Sequence, residues 1–312
     1  MTSLKSSCHP LRAAGWVIVF ILLIVNAASA TYPGQNGRIV FVAHFTDSWQ
    51  LYTINPDGSD LFQVSNLPPT EFPNWFPDFS PDGRRIVFCH DMTGAIELYV
   101  INVDGTGVAQ LTSDNTENLF PRWSSDGTHI VFSTLFNGDF GYHHLATINA
   151  DGSDRKVITD ILFDDYQAEY TADGKHIIFG STAGNLISAL WMMNTEGRHK
   201  RQITEASLKA GGPDVSPDGQ RMVLYDHQNT DRPTSIWVGN LDGTHLKRLT
   251  RTKDLNAGGA IYSPDGTKFV FNAALPEGGD FNIYMMNVDG SDVTLFLSCP
   301  GGCLFPDWGS KP

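Results

Sequence analysis

Five side chains able to ligate a metal or move a proton stand just beyond runs of β-branched and aromatic residues: His44, His90, Asp91, Asp226 and His227. Imidazole and carboxylate together suit a divalent transition metal, provided that ligands from distant parts of the chain meet at one point. The plainer reading is a polar rim whose histidines are solvated or cap loops. His143 and His144 do not extend this set. They directly precede a strand, and successive strand residues point to opposite faces, so the two cannot serve one ion. There is no His-Glu-x-x-His, no Gly-x-Ser-x-Gly, no glycine-rich phosphate loop and no Cys-x-x-Cys. Gly180-Ser181-Thr182-Ala183-Gly184 has the glycine spacing of a nucleophile elbow but carries Thr where the nucleophilic Ser belongs.

Whether these groups meet depends on the elements that carry them, and those repeat. An acidic-Gly pair recurs at Asp57-Gly58, Asp104-Gly105, Asp151-Gly152, Glu196-Gly197, Asp242-Gly243 and Asp289-Gly290, in steps of 45 to 47 residues. A second pair is interleaved at Asp82-Gly83, Asp126-Gly127, Asp173-Gly174, Asp218-Gly219 and Asp265-Gly266. Two landmarks sharing one period mark a repeat architecture. In one copy, Phe79-Ser80 enters the turn Pro81-Asp82-Gly83, with Pro where φ is preset and Gly where φ is positive. Arg85–Phe88 follows, too short and too β-branched for a helix. After a loop come Leu98–Asn102, the hairpin turn Asp104-Gly105, and Ala109–Thr112. The unit is four short strands, A to D. The repeated Asp of each pair is a turn residue by this reading, not half of a catalytic dyad.

Aligned copies stack aromatic residues in columns. Strand A carries Phe79, Trp123, Tyr170, Tyr262 and Trp308, with Val215 as the exception; strand C carries Tyr52, Tyr99, Trp191, Trp237 and Tyr284, with Ala146 as the exception. A bulky ring at one fixed position per copy is what packs one blade onto the next. The chain opens on a strand B, Arg38–Phe41, and ends on a strand A, Phe305–Trp308. The last strand should therefore complete the first blade, which closes a ring without exposed blade faces. The fold class expected is all-β: a six-bladed β-propeller of four-stranded blades, closed by the C-terminal strand.

Residues 1–30 read as a signal peptide rather than as fold. Lys5 and Arg12 precede the apolar run Trp16–Val25, and Ala28-Ser29-Ala30 supplies small residues for cleavage after Ala30. The run is shorter than the roughly 20 residues of a membrane span, which disfavours a retained anchor. Cys8 lies ahead of the apolar run, the wrong side for a lipid-modified cysteine. Residues 31–312 form the single propeller domain. With the leader removed, 19 basic residues face 34 acidic ones, a net charge of −15 that argues against nucleic acid as a partner. Cys299 and Cys303, separated by Pro-Gly-Gly, could close a small disulfide loop, while Cys89 within Ile86–Cys89 reads as a buried small hydrophobe.

Phe79-Ser80-Pro81-Asp82-Gly83, Ile86-Val87-Phe88, Leu98-Tyr99-Val100 and Gln110-Leu111-Thr112 resemble the WD-repeat-like propeller repeats of the TolB family, and the likeness runs over about Asn36–Gly309. The Gly-His and Trp-Asp dipeptides of true WD repeats are missing. The resemblance implies an exported six-bladed propeller acting mainly by binding other proteins, as the periplasmic component of the Tol–Pal envelope system does. That component carries an α/β domain ahead of its propeller, whereas the first blade here is expected about six residues beyond the cleavage site.

The expected function is thus a monomeric protein-binding or scaffold module, secreted or periplasmic, without cofactor or catalysis of its own. Its partner would be another protein, such as one of the cell envelope, and membrane contact would be confined to the signal segment. The alternative is a carbohydrate-active lyase or hydrolase with a metal held on the rim by His44, His90, Asp91, Asp226 and His227. The partner should dock on the rim of B–C and D–A loops, which vary in length and chemistry, and not on the uniform Asp-Gly rim. Glu71, Trp75 and His90 are the candidate contacts there, since an aromatic residue beside acidic charge is a common interface anchor.

Overall fold

The computed structural model describes residues 33–45, 47–69, 75–135, 141–160, 162–183, 187–226 and 234–312. The signal segment, its cleavage site, Glu71 and His227 lie outside the described residues. Among those described, strands gather into six four-stranded antiparallel sheets, and no helix is long and apolar enough to cross a membrane.

Blade I takes its inner strand A from the C-terminal end, Cys303–Ser310, and its strands B to D from Asn36–Ala43, Gln50–Ile54 and Phe62–Gln63. Closure at the expected place is fixed by register: Ile39 pairs with Trp308, Val40 with Asp307, and Ala43 with Cys303. The A strands of blades II to VI are Trp75–Phe79, Asn118–Trp123, Asp165–Tyr170, Ala210–Val215 and Asn256–Tyr262, each leading into its own B, C and D.

The aromatic columns behave as packing requires. Phe79, Trp123, Tyr170, Tyr262 and Trp308 are all buried, as is Val215. In strand C, Tyr52 and Tyr99 are buried while Trp191, Trp237 and Tyr284 are partly so. Burying a large apolar side chain contributes about 1.5–3 kcal/mol, so each seam between blades is a substantial hydrophobic interface.

Strand D is shorter than the repeat suggests. In blade II it spans only Ala109–Gln110, because Thr112 leaves the ladder and its side-chain Oγ1 accepts the Leu98 amide at 2.9 Å. The same bond recurs from Leu51 to Ser65, Leu145 to Thr159, Leu190 to Thr204 and Ile236 to Thr250. A hydroxyl thus stands in for a backbone carbonyl at the outer edge of five blades. His143 and His144, expected just before a strand, are its first two residues.

The Asp-Gly pairs are turns. Ser80, Ser124, Thr171, Ser216 and Ser263 donate to Asp82, Asp126, Asp173, Asp218 and Asp265 at 2.6–2.7 Å in the A–B turns. On the same rim, the amides of Ser59, Thr106, Ser153, Thr244 and Ser291 donate to the hairpin aspartates at 2.8–3.0 Å. One oxygen of each of these carboxylates takes the local bonds, which hold Asp57, Asp104, Asp151, Asp242 and Asp289 below the usual carboxylate range.

Cys299 and Cys303 form a disulfide across a Cα separation of 5.6 Å, and Cys89 is a free, buried thiol whose pKa burial pushes far up. Thiol labelling of the native protein should modify none of the three; labelling of Cys89 without denaturant would contradict its place in the core. Deleting residues 304–312 removes most of the inner strand of blade I, with the buried Trp308. The truncated protein should melt more than about 10 °C lower or fail to fold, since several kcal/mol of burial are lost. An unchanged melting temperature would mean that this strand does not close the ring.

Candidate functional site at the channel mouth

Of the residues expected to form a metal site, His44, His90, Asp91 and Asp226 are described and His227 is not, and the four described do not form a group able to hold a metal ion. His44 is half-buried, its ring 5.5 Å from that of Trp49. Asp226 is buried and its carboxylate is used structurally, accepting the Ser235 amide at 2.7 Å and the Trp237 indole N–H at 3.1 Å. His90 is wholly buried, with the Asp91 carboxylate 3.6 Å from Nδ1. Burial holds its pKa below the ordinary value, against the pull of Asp91. These groups belong to blades I, II and V, and among the described residues no three His, Cys, Asp or Glu side chains are arranged to hold a metal ion. His90 is also corrected as a docking residue: at 0% exposure its ring cannot touch a partner.

Trp75 is half-buried at the start of strand A of blade II, its ring 5.5 Å from Phe305 and 5.7 Å from Phe76. It leans on a cluster at the mouth of the central channel. Gly180 and Ser181 end a strand, where the buried Ser181 hydroxyl donates to Asp165 and is not presented to solvent.

The site that the structure does assemble comes from a feature shared by all six inner strands. Each is broken by a register shift near its start. At each shift one residue has φ between 51° and 60°: Phe305, Phe76, Phe120, Gln167, Gly212 and Gly259, in blades I to VI. Such β-bulges re-aim a side chain, and a bulky residue at positive φ is a strained one. Here they surround the channel mouth on the rim of B–C and D–A loops. Phe76 stands between two others, its centroid 4.1 Å from Phe120 and 4.3 Å from Phe305. In blades V and VI the bulge residue is glycine, and a Cβ on Gly212 would collide with the Tyr225 ring. A cavity of about 310 Å³ lies within this ring, with Phe281, Asn256 and Asn272 also on its wall.

Two residues deeper, the same strands present Asp307, Asp78, Arg122, Glu169, Asp214 and Ile261 in blades I to VI. Three of the carboxylates lock neighbouring blades. Asp307 accepts the Phe79 amide at 2.8 Å, Asp78 the Trp123 amide at 2.7 Å, and Asp214 the Tyr262 amide at 2.8 Å. Arg122 lies 3.2 Å from Glu169 and 3.8 Å from Asp78. Burial and the Asp307 charge hold Asp78 well above the usual carboxylate range despite Arg122; burial does the same to Glu169, and to a lesser degree to Asp307.

A family profile described as the TolB beta propeller domain matches residues 22–212, more than half of the sequence. The chain belongs to the TolB β-propeller family. Among solved structures, TolB from Acinetobacter baumannii is 22% identical with a TM-score of 0.75, the match covering 88% of this chain and 67% of that one. Hydrazine synthase from Kuenenia stuttgartiensis is 14% identical at a TM-score of 0.73, covering 90% of this chain and 48% of that one. A puromycin-hydrolyzing peptidase from Mycobacterium tuberculosis is 13% identical at 0.58, covering 86% and 45%. At these identities the likeness is one of fold. No curated protein sequence matches the chain.

Sequence reasoning singled out the rim of B–C and D–A loops, where the channel mouth of this TolB-family propeller lies, but overlooked the channel. The signal was present in the strand A alignment, one and three positions before the aromatic column. Because Asp78, Glu169 and Asp307 hold protons more tightly folded than unfolded, they add stability as pH falls from neutral and lose it as pH rises. Between about pH 7.5 and about pH 5 the wild-type melting temperature should therefore rise by several degrees relative to a double variant Asp78→Asn/Asp307→Asn. The turn aspartates, shifted down, act in the opposite sense and only below about pH 4. Parallel profiles for the two proteins would show that the channel carboxyls ionise normally.

Proposed function

We propose that this chain is an exported, monomeric protein-binding module of the periplasm or cell envelope, whose partner docks across the channel mouth on the rim of B–C and D–A loops. The N-terminal segment with its cationic start, apolar run and Ala28-Ser29-Ala30 supports export. Membership of the TolB β-propeller family supports a binding role.

The observation that carries the reading is the contrast between the two rims. On one, the aspartates are spent on turn bonds, leaving a repetitive surface. On the other, half-buried Phe76, Phe120 and Phe305 flank an open cavity of about 310 Å³, near the lower bound of ligand pockets. Aromatic side chains around a concavity are the usual anchors of an interface. Trp75 belongs to the same approach as a support for the aromatic cluster, and Glu71, outside the described residues, is kept as a candidate contact. Its truncation would loosen that cluster as well as remove contact area.

In a pull-down from envelope extract, Phe120→Ala and Phe281→Ala should each weaken capture of the partner about tenfold or more. Asp151→Ala and Asp242→Ala, on the opposite rim, should leave capture unchanged. Melting curves check that all four variants are folded. Loss of capture with the aspartate variants and retention with the phenylalanine variants would place the partner on the wrong rim for this reading.

A further inference from the structure

Five of the six blades end on a strand D of two residues: Phe62–Gln63, Ala109–Gln110, Lys156–Val157, Arg201–Gln202 and Lys247–Arg248. Blade VI ends on Thr294–Leu297, which is twice as long. The cause lies in one column of the repeat. Where those five blades carry Ser65, Thr112, Thr159, Thr204 and Thr250, whose hydroxyls accept a strand C amide, blade VI carries Leu297. Leucine has no hydroxyl to offer, and Leu297 pairs with Ile283 in the ladder instead. The register shifts between this pair and that of Leu295 with Tyr284, so Phe296 is the extra residue of a bulge. Phe296 and Leu297 lean on the core cluster that blade VI shares with blade I.

The longer strand is also unguarded. Strand D is the outermost of its sheet, and among the described residues no strand pairs with its outer side. Such an edge presents N–H and C=O groups to solvent, and native proteins defend it by keeping it very short or by charging it. Blades I and II rely on length; blades III, IV and V add Lys156, Arg201, Lys247 and Arg248. Blade VI has neither defence. Its run Val293-Thr294-Leu295-Phe296-Leu297-Ser298 holds no charge, no proline and no glycine. Val293 and Leu295 are 42% and 53% exposed. An uncharged, β-prone run of this length is the composition that accepts another strand.

We propose that strand D of blade VI is a second interaction surface, on the outer wall and separate from the channel mouth, to which another polypeptide adds an extended strand. A row of edge N–H and C=O groups is matched by an extended backbone, not by a helix, whose own groups are already paired. Cross-strand contact with Val293 and Leu295 selects β-branched or other apolar residues at alternate positions. Asp289 and Asp292, both exposed, stand just ahead of the strand and favour a basic residue flanking the incoming one. The same run of a second copy would bring no cation to that flank.

The probes are acetylated, amidated heptapeptides titrated into the full propeller and followed by NMR at the Leu295 and Leu297 amides. They are Lys-Val-Thr-Val-Thr-Val-Lys, the same peptide with Glu at both ends, and the first peptide with its core amides N-methylated. The lysine-ended peptide should shift these signals and bind at least about tenfold tighter than either of the other two. Leu295→Lys, which gives blade VI the charged edge of blades III to V, should weaken that binding about tenfold or more. Its melting temperature should match the wild type, because the replaced side chain is exposed. The N-methylated peptide tests the same edge on the unaltered propeller. No binding, equal binding of either control peptide, or undiminished binding by Leu295→Lys would each overturn the proposal. So would sedimentation of the propeller as a dimer that Leu295→Lys makes monomeric, which would put a second copy on this edge.

Discussion

Six inner strands converge on one axis, so any residue type placed in a given column is brought close to its five counterparts. This constraint governs the channel. Phe79, Trp123 and Tyr262 each donate a backbone amide to a carboxylate of the preceding blade, at 2.7–2.8 Å. The bond ties blade to blade where no ladder runs between them. It also gathers acids around the axis, where burial and mutual repulsion disfavour their ionised forms. Arg122 offsets that repulsion on one side, at 3.2 Å from Glu169. A buried acid kept for its acceptor lone pairs is thus stabilising as a hydrogen-bond partner and costly as a charge.

The bulges answer a second demand of the same convergence. An unbroken strand would keep its alternation to the mouth and leave no control over which side chains line it. A register shift at the same place in all six inner strands turns one residue inward, at φ between 51° and 60°. Glycine adopts that backbone without strain and leaves space; phenylalanine adopts it at a cost and fills space. The choice between them, blade by blade, sets where the channel is plugged and where it is open. Phe76 packs against Phe120 and Phe305 on one side, while at Gly212 the Tyr225 ring occupies the place of a side chain and Gly259 lies against Asn272.

The architecture was legible in the sequence because it is written six times. Asp-Gly pairs at constant spacing announce turns, and turns at constant spacing announce blades. The pairing of Trp308 with Ile39 follows from a chain that starts on strand B and ends on strand A. The site was not legible by the same route. His90 and Asp226 were noticed for their chemistry, yet one is wholly buried and the other is bonded to the Ser235 amide and the Trp237 indole. Type and spacing do not reveal burial at a strand end. Asp78, Arg122, Glu169, Asp214 and Asp307 went unnoticed because each is an ordinary charged residue in its own copy. Only the ring brings them together.

A repeat protein acquires a particular function by departing from its repeat, and the departures here are concentrated. Outer edges are alike in five blades, held by the same hydroxyl-to-amide bond. The A–B turns are alike in five, and aromatic residues fill strand A in all but blade V. Difference is otherwise reserved for two levels of the channel. At the upper level, three phenylalanines, one glutamine and two glycines follow one another round the ring; at the lower, four acids, one arginine and one isoleucine share it. Ile261 follows the upper-level Gly259 in the same strand, with only Ala260 between them. Blade V also carries glycine at the upper level, Gly212, but with the charged Asp214 two residues on. At blade VI the uncharged Ile261 and the side-chain-free Gly259 thus share one strand, on the face where the loops vary most.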